Sequence, residues 1–164
     1  MDYHSLNCIT KKDCYPLPLL TDLLDASKKA CVFTKIDLCC AYHLVQIADD
    51  EEWKTTFHTY YSSFEWLVMS FGLTNAPTAF QCFMNDIFSD LLNICIIIYL
   101  DNILIYLEDI TQYKKHIKEV LWRLCKNGLY VAATKCEFHK VLNTLVSSFP
   151  STASAWLKTR FKSS

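Results

Sequence analysis

Two aspartates stand where apolar, β-branched stretches stop. Asp37 follows residues 31–36, and Asp101, with Asn102 beside it, separates the apolar runs 94–100 and 103–107. Two polar residues between two such runs are a strong hairpin signal, and residues 31–36 carry the composition of a strand that can lie beside that hairpin. Carboxylates brought together at adjacent strand ends suit Mg²⁺, a hard cation that takes carboxylate and phosphate oxygens and commonly uses one or two protein carboxylates. Spacing alone leaves a plainer alternative open, in which each Asp is a turn residue. The acidic run Asp49, Asp50, Glu51, Glu52 reads as a solvated turn or the first turn of a helix rather than a second metal site.

Nine cysteines are present, but none forms a Cys-x-x-Cys pair, the number is odd, and Cys39 and Cys40 are adjacent. That pattern fits neither a zinc ribbon nor a disulfide framework, so a cysteine metal or redox site is disfavoured and the residues read as free thiols of a reducing compartment.

The elements that must position the carboxylates follow from periodicity. Leu19, Leu20, Leu23 and Leu24 fall at helical spacing within residues 16–29. After the strand ending at Asp37 comes a second apolar segment, 43–47, and residues 54–59 and 64–69 read as two strands around Tyr60-Tyr61-Ser62-Ser63. A helix is expected over 74–92, with Thr74 or Asn75 as N-cap, Pro77 in the first turn, and Phe80, Phe83, Met84, Ile87, Phe88 and Leu91 inward. Another is expected over 111–127, closed by Gly128, with Ile117, Val120, Leu121 and Leu124 inward. After His139 the pattern decays into short apolar fragments among Ser, Thr and Pro, which reads as a poorly ordered tail.

At 164 residues, 52% hydrophobic and 14% aromatic, the chain has the material for one domain with a real core. A net charge of −1 gives no basic field of the kind that announces a nucleic-acid partner, so composition by itself does not suggest a polymerase. The N-terminus lacks the pattern of a signal peptide, and the longest apolar run, 94–106, is too short for a bilayer and carries Asp101 at its middle. The location expected is intracellular, neither secreted nor membrane-bound.

Read as a set, Phe33-Thr34-Lys35-Ile36-Asp37-Leu38, Ala41-Tyr42-His43, Phe71-Gly72-Leu73-Thr74-Asn75-Ala76-Pro77 and Tyr99-Leu100-Asp101, in this order and spacing, resemble the reverse transcriptases of gypsy-like LTR retrotransposons. Supporting stretches include Tyr3 with Leu6-Asn7, Phe80-Gln81, and Lys135-Cys136-Glu137-Phe138-His139. The resemblance covers about residues 2 to 139, so residues 1–139 are expected to form a fingers and palm fragment and 140–164 an off-family tail. It implies an α/β (α+β) fold, a reverse-transcriptase palm with partial fingers, in which a central antiparallel sheet packs on helices. It further implies RNA-directed DNA synthesis, with Asp37 and Asp101 holding two Mg²⁺ ions, Asn102 as the third catalytic position, and Leu38, Tyr42, Phe71 and Gly72 around the deoxynucleotide triphosphate. The implied partners are an RNA or DNA template-primer and deoxynucleotides, with no membrane. Thumb and RNase H regions are not expected in this chain.

The departures from that pattern are concentrated in charge. Asn102 stands where the family has a second consecutive aspartate. His4, Cys14, Cys39, Cys82 and Cys125 fall where arginine is expected, and Ser62 or Ser63 and Ser70 where glycine and proline are usual. A neutral amide contributes less to a two-cation site, and arginine is the preferred bidentate phosphate ligand, so this copy is expected to be impaired or inactive. The alternative from another class is a degenerate palm-like globule without enzymatic activity that binds nucleic acid weakly.

Overall fold

A computed structural model of the chain describes residues 2–16, 30–107 and 109–140. The helix expected around Leu19–Leu24 and the tail beyond residue 140 lie outside these described residues. The architecture is the mixed one expected, an antiparallel sheet packed on helices.

Strand β1 (Val32–Cys39) is the axis of a five-stranded sheet. On one side it pairs with β5 (Asn102–Leu107), which in turn pairs with the edge strand β4 (Ile96–Tyr99). Its other side is shared by β6 (Tyr130–Val131), opposite Leu38 and Cys39, and β7 (Glu137–Lys140), opposite Phe33 and Lys35. Being paired on both flanks carries β1 through Asp37 to Cys39, so Asp37 lies inside the strand and not at its end as the sequence suggested. The β4–β5 loop is also one residue earlier than expected. Tyr99 pairs with Asn102, which leaves Leu100 and Asp101 as the two loop residues and draws Asn102 into the ladder opposite Asp37.

Period-2 alternation then sorts the sheet into two faces. Ile36, Leu38, Ile96, Ile98, Ile103 and Ile105 face helices α2 (Ala76–Ile87) and α3 (Ile110–Lys126) and meet Phe80, Met84, Phe88, Val120 and Leu124, all essentially inaccessible. The intervening Phe33, Ile97, Leu104 and Tyr106 form a second cluster on the opposite face.

Helix α2 is shorter than its apolar period indicates, because Phe88 to Leu91 continue as turns, with Phe88 and Leu91 still packing inward. Its N-cap is Asn75, yet the Asn75 side chain does not cap. It accepts the Asp13 N–H at 3.1 Å and donates to the Lys11 carbonyl at 2.9 Å, tying the N-terminal segment to the helix start. Helix α3 is capped conventionally by Asp109, whose carboxylate accepts from the Thr111 N–H at 2.8 Å, and Gly128 follows its end with a φ of +68°.

The hairpin expected around residues 60–63 forms with a ladder of only two residues a side, β2 (Phe57–His58) and β3 (Ser63–Phe64). Residues 52–55 are wound into a 3₁₀ turn instead, because the Thr55 hydroxyl bonds back to the Glu52 carbonyl at 2.7 Å and accepts the Trp66 N–H at 2.9 Å. The apolar segment 43–47 likewise enters through a 3₁₀ turn, Ala41–Leu44, and contributes one bridge, Gln46 to Val68. A short helix unmarked in the sequence, α1 (His4–Ile9), stands against the loop before α2: the Asn7 side chain donates to the Gly72 carbonyl at 2.7 Å and accepts the Thr74 N–H at 2.9 Å.

Candidate active site

The ladder brings Asp37, Asp101 and Asn102 into one place. Asp37 and Asn102 are direct cross-strand partners, and the Leu38 N–H donates to the Asp101 carbonyl at 2.9 Å. Directly opposed residues of an antiparallel pair have Cβ atoms only about 5 Å apart, so three oxygen-bearing side chains crowd the end of the sheet.

Their surroundings differ. Asp37 is buried, and its Oδ1 has no hydrogen-bond partner among the described residues; the exposed Lys135 ammonium stands 3.7 Å away, an ion-pair distance too long for a hydrogen bond. The Asp37 backbone is fixed independently, its carbonyl accepting the Ala132 N–H at 2.8 Å and its N–H meeting the Cys136 sulfur at 3.4 Å. One Asp101 carboxylate oxygen accepts from the Asn102 amide at 2.9 Å. The buried carboxylate oxygen without a donor is the feature that fits a cation: a hard, charged acceptor is desolvated there, and only a distant ammonium offsets it.

Beside the carboxylates lies an aromatic wall. Tyr42 is buried in a T-shaped contact with Phe71, with centroids 4.9 Å apart, and lies 5.3 Å from Phe80. Burial raises the Tyr42 phenol above its ordinary pKa, and the nearby Asp101 carboxylate pushes it further the same way. Phe71 is exposed, and Gly72, at a φ of +97°, makes the turn behind it. Leu38 turns its side chain into the main core and commits its N–H to Asp101, so only its backbone borders the site.

Cys39 and Cys40 follow Asp37 with their sulfurs 3.8 Å apart, and the hydrogen bond and charge of Cys40 raise the Cys39 thiol. All nine cysteines are free thiols.

Three residues at this site escaped notice as functional from sequence. Lys135 arrives from the turn Ala133–Lys135, 98 positions from Asp37 along the chain, and no local pattern announces the pairing. Asn7 holds the Gly72 loop from α1. Gln81 is fully buried and bonded to the β4–β5 loop; its signal was a polar residue at i−3 and i−7 from the buried Met84 and Phe88.

Comparison with known proteins identifies the family and the fold. The family described as reverse transcriptase (RNA-dependent DNA polymerase) matches residues 1–155. The Transposon Tf2-7 and Tf2-3 polyproteins of Schizosaccharomyces pombe are each 39% identical over 140 residues, which is 85% of this chain and 10% of theirs, so the chain spans about a tenth of the length of these relatives. Among solved structures, the foamy viral protease-reverse transcriptase in complex with an RNA/DNA hybrid superposes with a TM-score of 0.75 at 21% identity, covering 84% of this chain and 18% of the other. The same viral enzyme in complex with double-stranded DNA gives 0.76 at 21% identity, covering 85% and 29%. The motifs, the sheet that gathers them and the extent of the family match agree: this chain belongs to the reverse transcriptase family, whose members use divalent metal ions.

Proposed function

We propose that the site formed by Asp37, Asp101 and Asn102 is a template-directed nucleotidyl-transfer site, derived from that of an active RNA-directed DNA polymerase and weakened by the amide at Asn102. The observation that carries this reading is the orphaned, buried Oδ1 of Asp37, cross-strand from Asn102 and next to Asp101. Asp37 and Asp101 are the residues to hold Mg²⁺, which when bound supplies charge neutralisation for phosphate oxygens and a lowered pKa for a coordinated hydroxyl.

The chain's own groups do the rest. The Tyr42–Phe71 edge offers an apolar wall for the sugar and base of an incoming deoxynucleotide, and Gly72 lets backbone come close to it. Lys135 neutralises Asp37 when no cation is bound. Asn102 satisfies one Asp101 oxygen with a hydrogen bond and adds no charge of its own, so the site attracts cations less than three carboxylates do. The partners are accordingly an RNA or DNA template-primer and deoxynucleotide triphosphates, bound weakly because the chain carries a net charge of −1.

The test is primer extension on a primed RNA template with Mg²⁺, comparing the chain with Asn102→Asp and Asp101→Asn. Extension that appears or rises in Asn102→Asp and is lost in Asp101→Asn is expected. Silence from all three, with no nucleic acid bound, leaves a palm-like globule without enzymatic activity.

A further inference from the structure

The loop carrying Asp101 is backbone-strained. Leu100 has a φ of +53°, a left-handed conformation that side chains with a Cβ rarely adopt. Loop and strand end also lie on an open edge: β4 is the outermost strand of the sheet, and among the described residues the backbone partner on its far side is the segment at Leu91–Asn93, which reaches only its first residue, Ile96. Since Tyr99 pairs with Asn102, the polar groups of Ile98 and Leu100 point away from β5.

Those groups are met by a single side chain. Gln81, fully buried on α2, donates from Nε2 to the Ile98 carbonyl at 3.0 Å and accepts the Leu100 N–H on Oε1 at 2.9 Å. Its primary amide offers the same donor and acceptor as a peptide group of a neighbouring strand. The remaining Nε2 hydrogen goes to Asn85 Oδ1 at 2.9 Å, and Asn85 donates to the Tyr15 hydroxyl at 2.9 Å, which locks the amide's orientation from behind.

We infer that Gln81 is a positioning residue for Asp101: its amide substitutes for a missing strand and holds Leu100 in the left-handed conformation that aims the Asp101 carboxylate toward Asp37. Asp101 follows Leu100 directly, and its carbonyl is pinned by the Leu38 N–H, so the backbone on one side of Asp101 is set by the sheet and on the other by Gln81. Gln81 touches no reacting atom. The inference rests on the metal-binding reading for its consequence, but the clamp itself is independent of it.

The experiment uses the full chain as Gln81→Leu, Leu100→Gly, the double variant and Asp101→Asn, with two readouts: amide hydrogen exchange along β4 and β5, and Mn²⁺ binding by titration. In Gln81→Leu the Leu100 amide is expected to lose protection selectively, while Ile103 to Ile105 keep theirs, and Mn²⁺ affinity is expected to fall about tenfold, the size of one lost hydrogen bond. Glycine adopts positive φ without steric cost, so Leu100→Gly added to Gln81→Leu is expected to restore Mn²⁺ affinity without restoring the core. Unchanged Leu100 exchange overturns the inference, as does a uniform loss of protection with Mn²⁺ affinity unaltered. Should Gln81→Leu not fold, Gln81→Met, closer in length and likewise without the amide, takes its place, and unchanged Leu100 exchange in that variant overturns it equally. Absence of Asp101-dependent Mn²⁺ binding in the parent chain overturns the metal reading instead, and leaves the clamp to be decided by Leu100 exchange.

Discussion

Replacing Asn102 by Asp changes one atom and inverts the electrostatics of the site. Asn102 is the cross-strand partner of Asp37 and donates its amide to Asp101 Oδ1 at 2.9 Å. As Asp it loses that hydrogen bond and places a third carboxylate between two others. At about 5 Å and an effective dielectric of about 20, suited to these half-buried side chains, each like-charge pair repels by roughly 3 kcal/mol. Lys135, 3.7 Å from Asp37, offsets part of this, and partial protonation relieves more. A net loss of about 2 to 3 kcal/mol without metal follows, or on the order of 5–10 °C in Tm for a domain of this size. On the proposed metal-binding reading a divalent cation is expected to reverse the sign, because the same three charges then bind it, and a ligand bound only by the native state raises stability with its concentration. The assay is thermal unfolding of the parent chain and Asn102→Asp, titrated with Mg²⁺ after chelation. Asn102→Asp is expected to melt lower without metal and to gain more from Mg²⁺ than the parent. Equal melting temperatures without metal, with the same flat response to Mg²⁺, would refute the claim that these side chains share one electrostatic site.

Other consequences are simpler to measure. Phe80→Ala empties a fully buried position that also backs Tyr42, so a loss of about 3–5 kcal/mol is expected in urea unfolding. Tyr113→Phe removes a buried hydroxyl that contacts Thr34 Oγ1 at 2.6 Å and accepts the His139 N–H at 2.7 Å; these two groups then keep only their long 3.5 Å contact with each other, and about 1–3 kcal/mol is expected to be lost by the same measurement. Gly72→Ala forces a φ of +97° on a side chain, costing about 1 kcal/mol or more. Two carboxylates have folded pKa values below the ordinary range, Asp90 through hydrogen bonds from Arg123 and Asp109 through the Thr111 N–H. Their stabilisation is therefore complete above the unfolded value of about 3.9 and lost as pH falls through the lower folded values, so Asp90→Asn is expected to be less stable than the parent near neutral pH, to converge with it in acid, and to begin acid unfolding at no lower pH than the parent.

Much of the frame was legible because burial repeats with the period of the element. The inward faces of α2 and α3 are those the spacing of Phe80, Met84 and Phe88, and of Val120 and Leu124, indicates, and the β4–β5 hairpin stands where two β-branched runs flank polar residues. Boundaries were less legible where tertiary bonds outweigh local preference. Asn75 carries the composition of an N-cap but spends its side chain on Lys11 and Asp13. Thr55 winds a turn where alternation suggested strand. The short strands β6 and β7 exist only because β1 offers them an edge.

The sequence by itself determined the family and the mixed architecture and nominated Asp37, Asp101 and Asn102 as candidate site residues, since motif order and apolar periodicity are properties of the chain read in one dimension. Only the tertiary structure decided that Asn102 rather than Asp101 stands opposite Asp37, that one Asp37 oxygen is buried without a donor, and that Lys135 and Gln81 reach the site from distant elements. The physical reason is that a ladder's register is set by the pairing of whole strands and a carboxylate's partners by what folds against it. Neither quantity is encoded within a few residues of the aspartate itself.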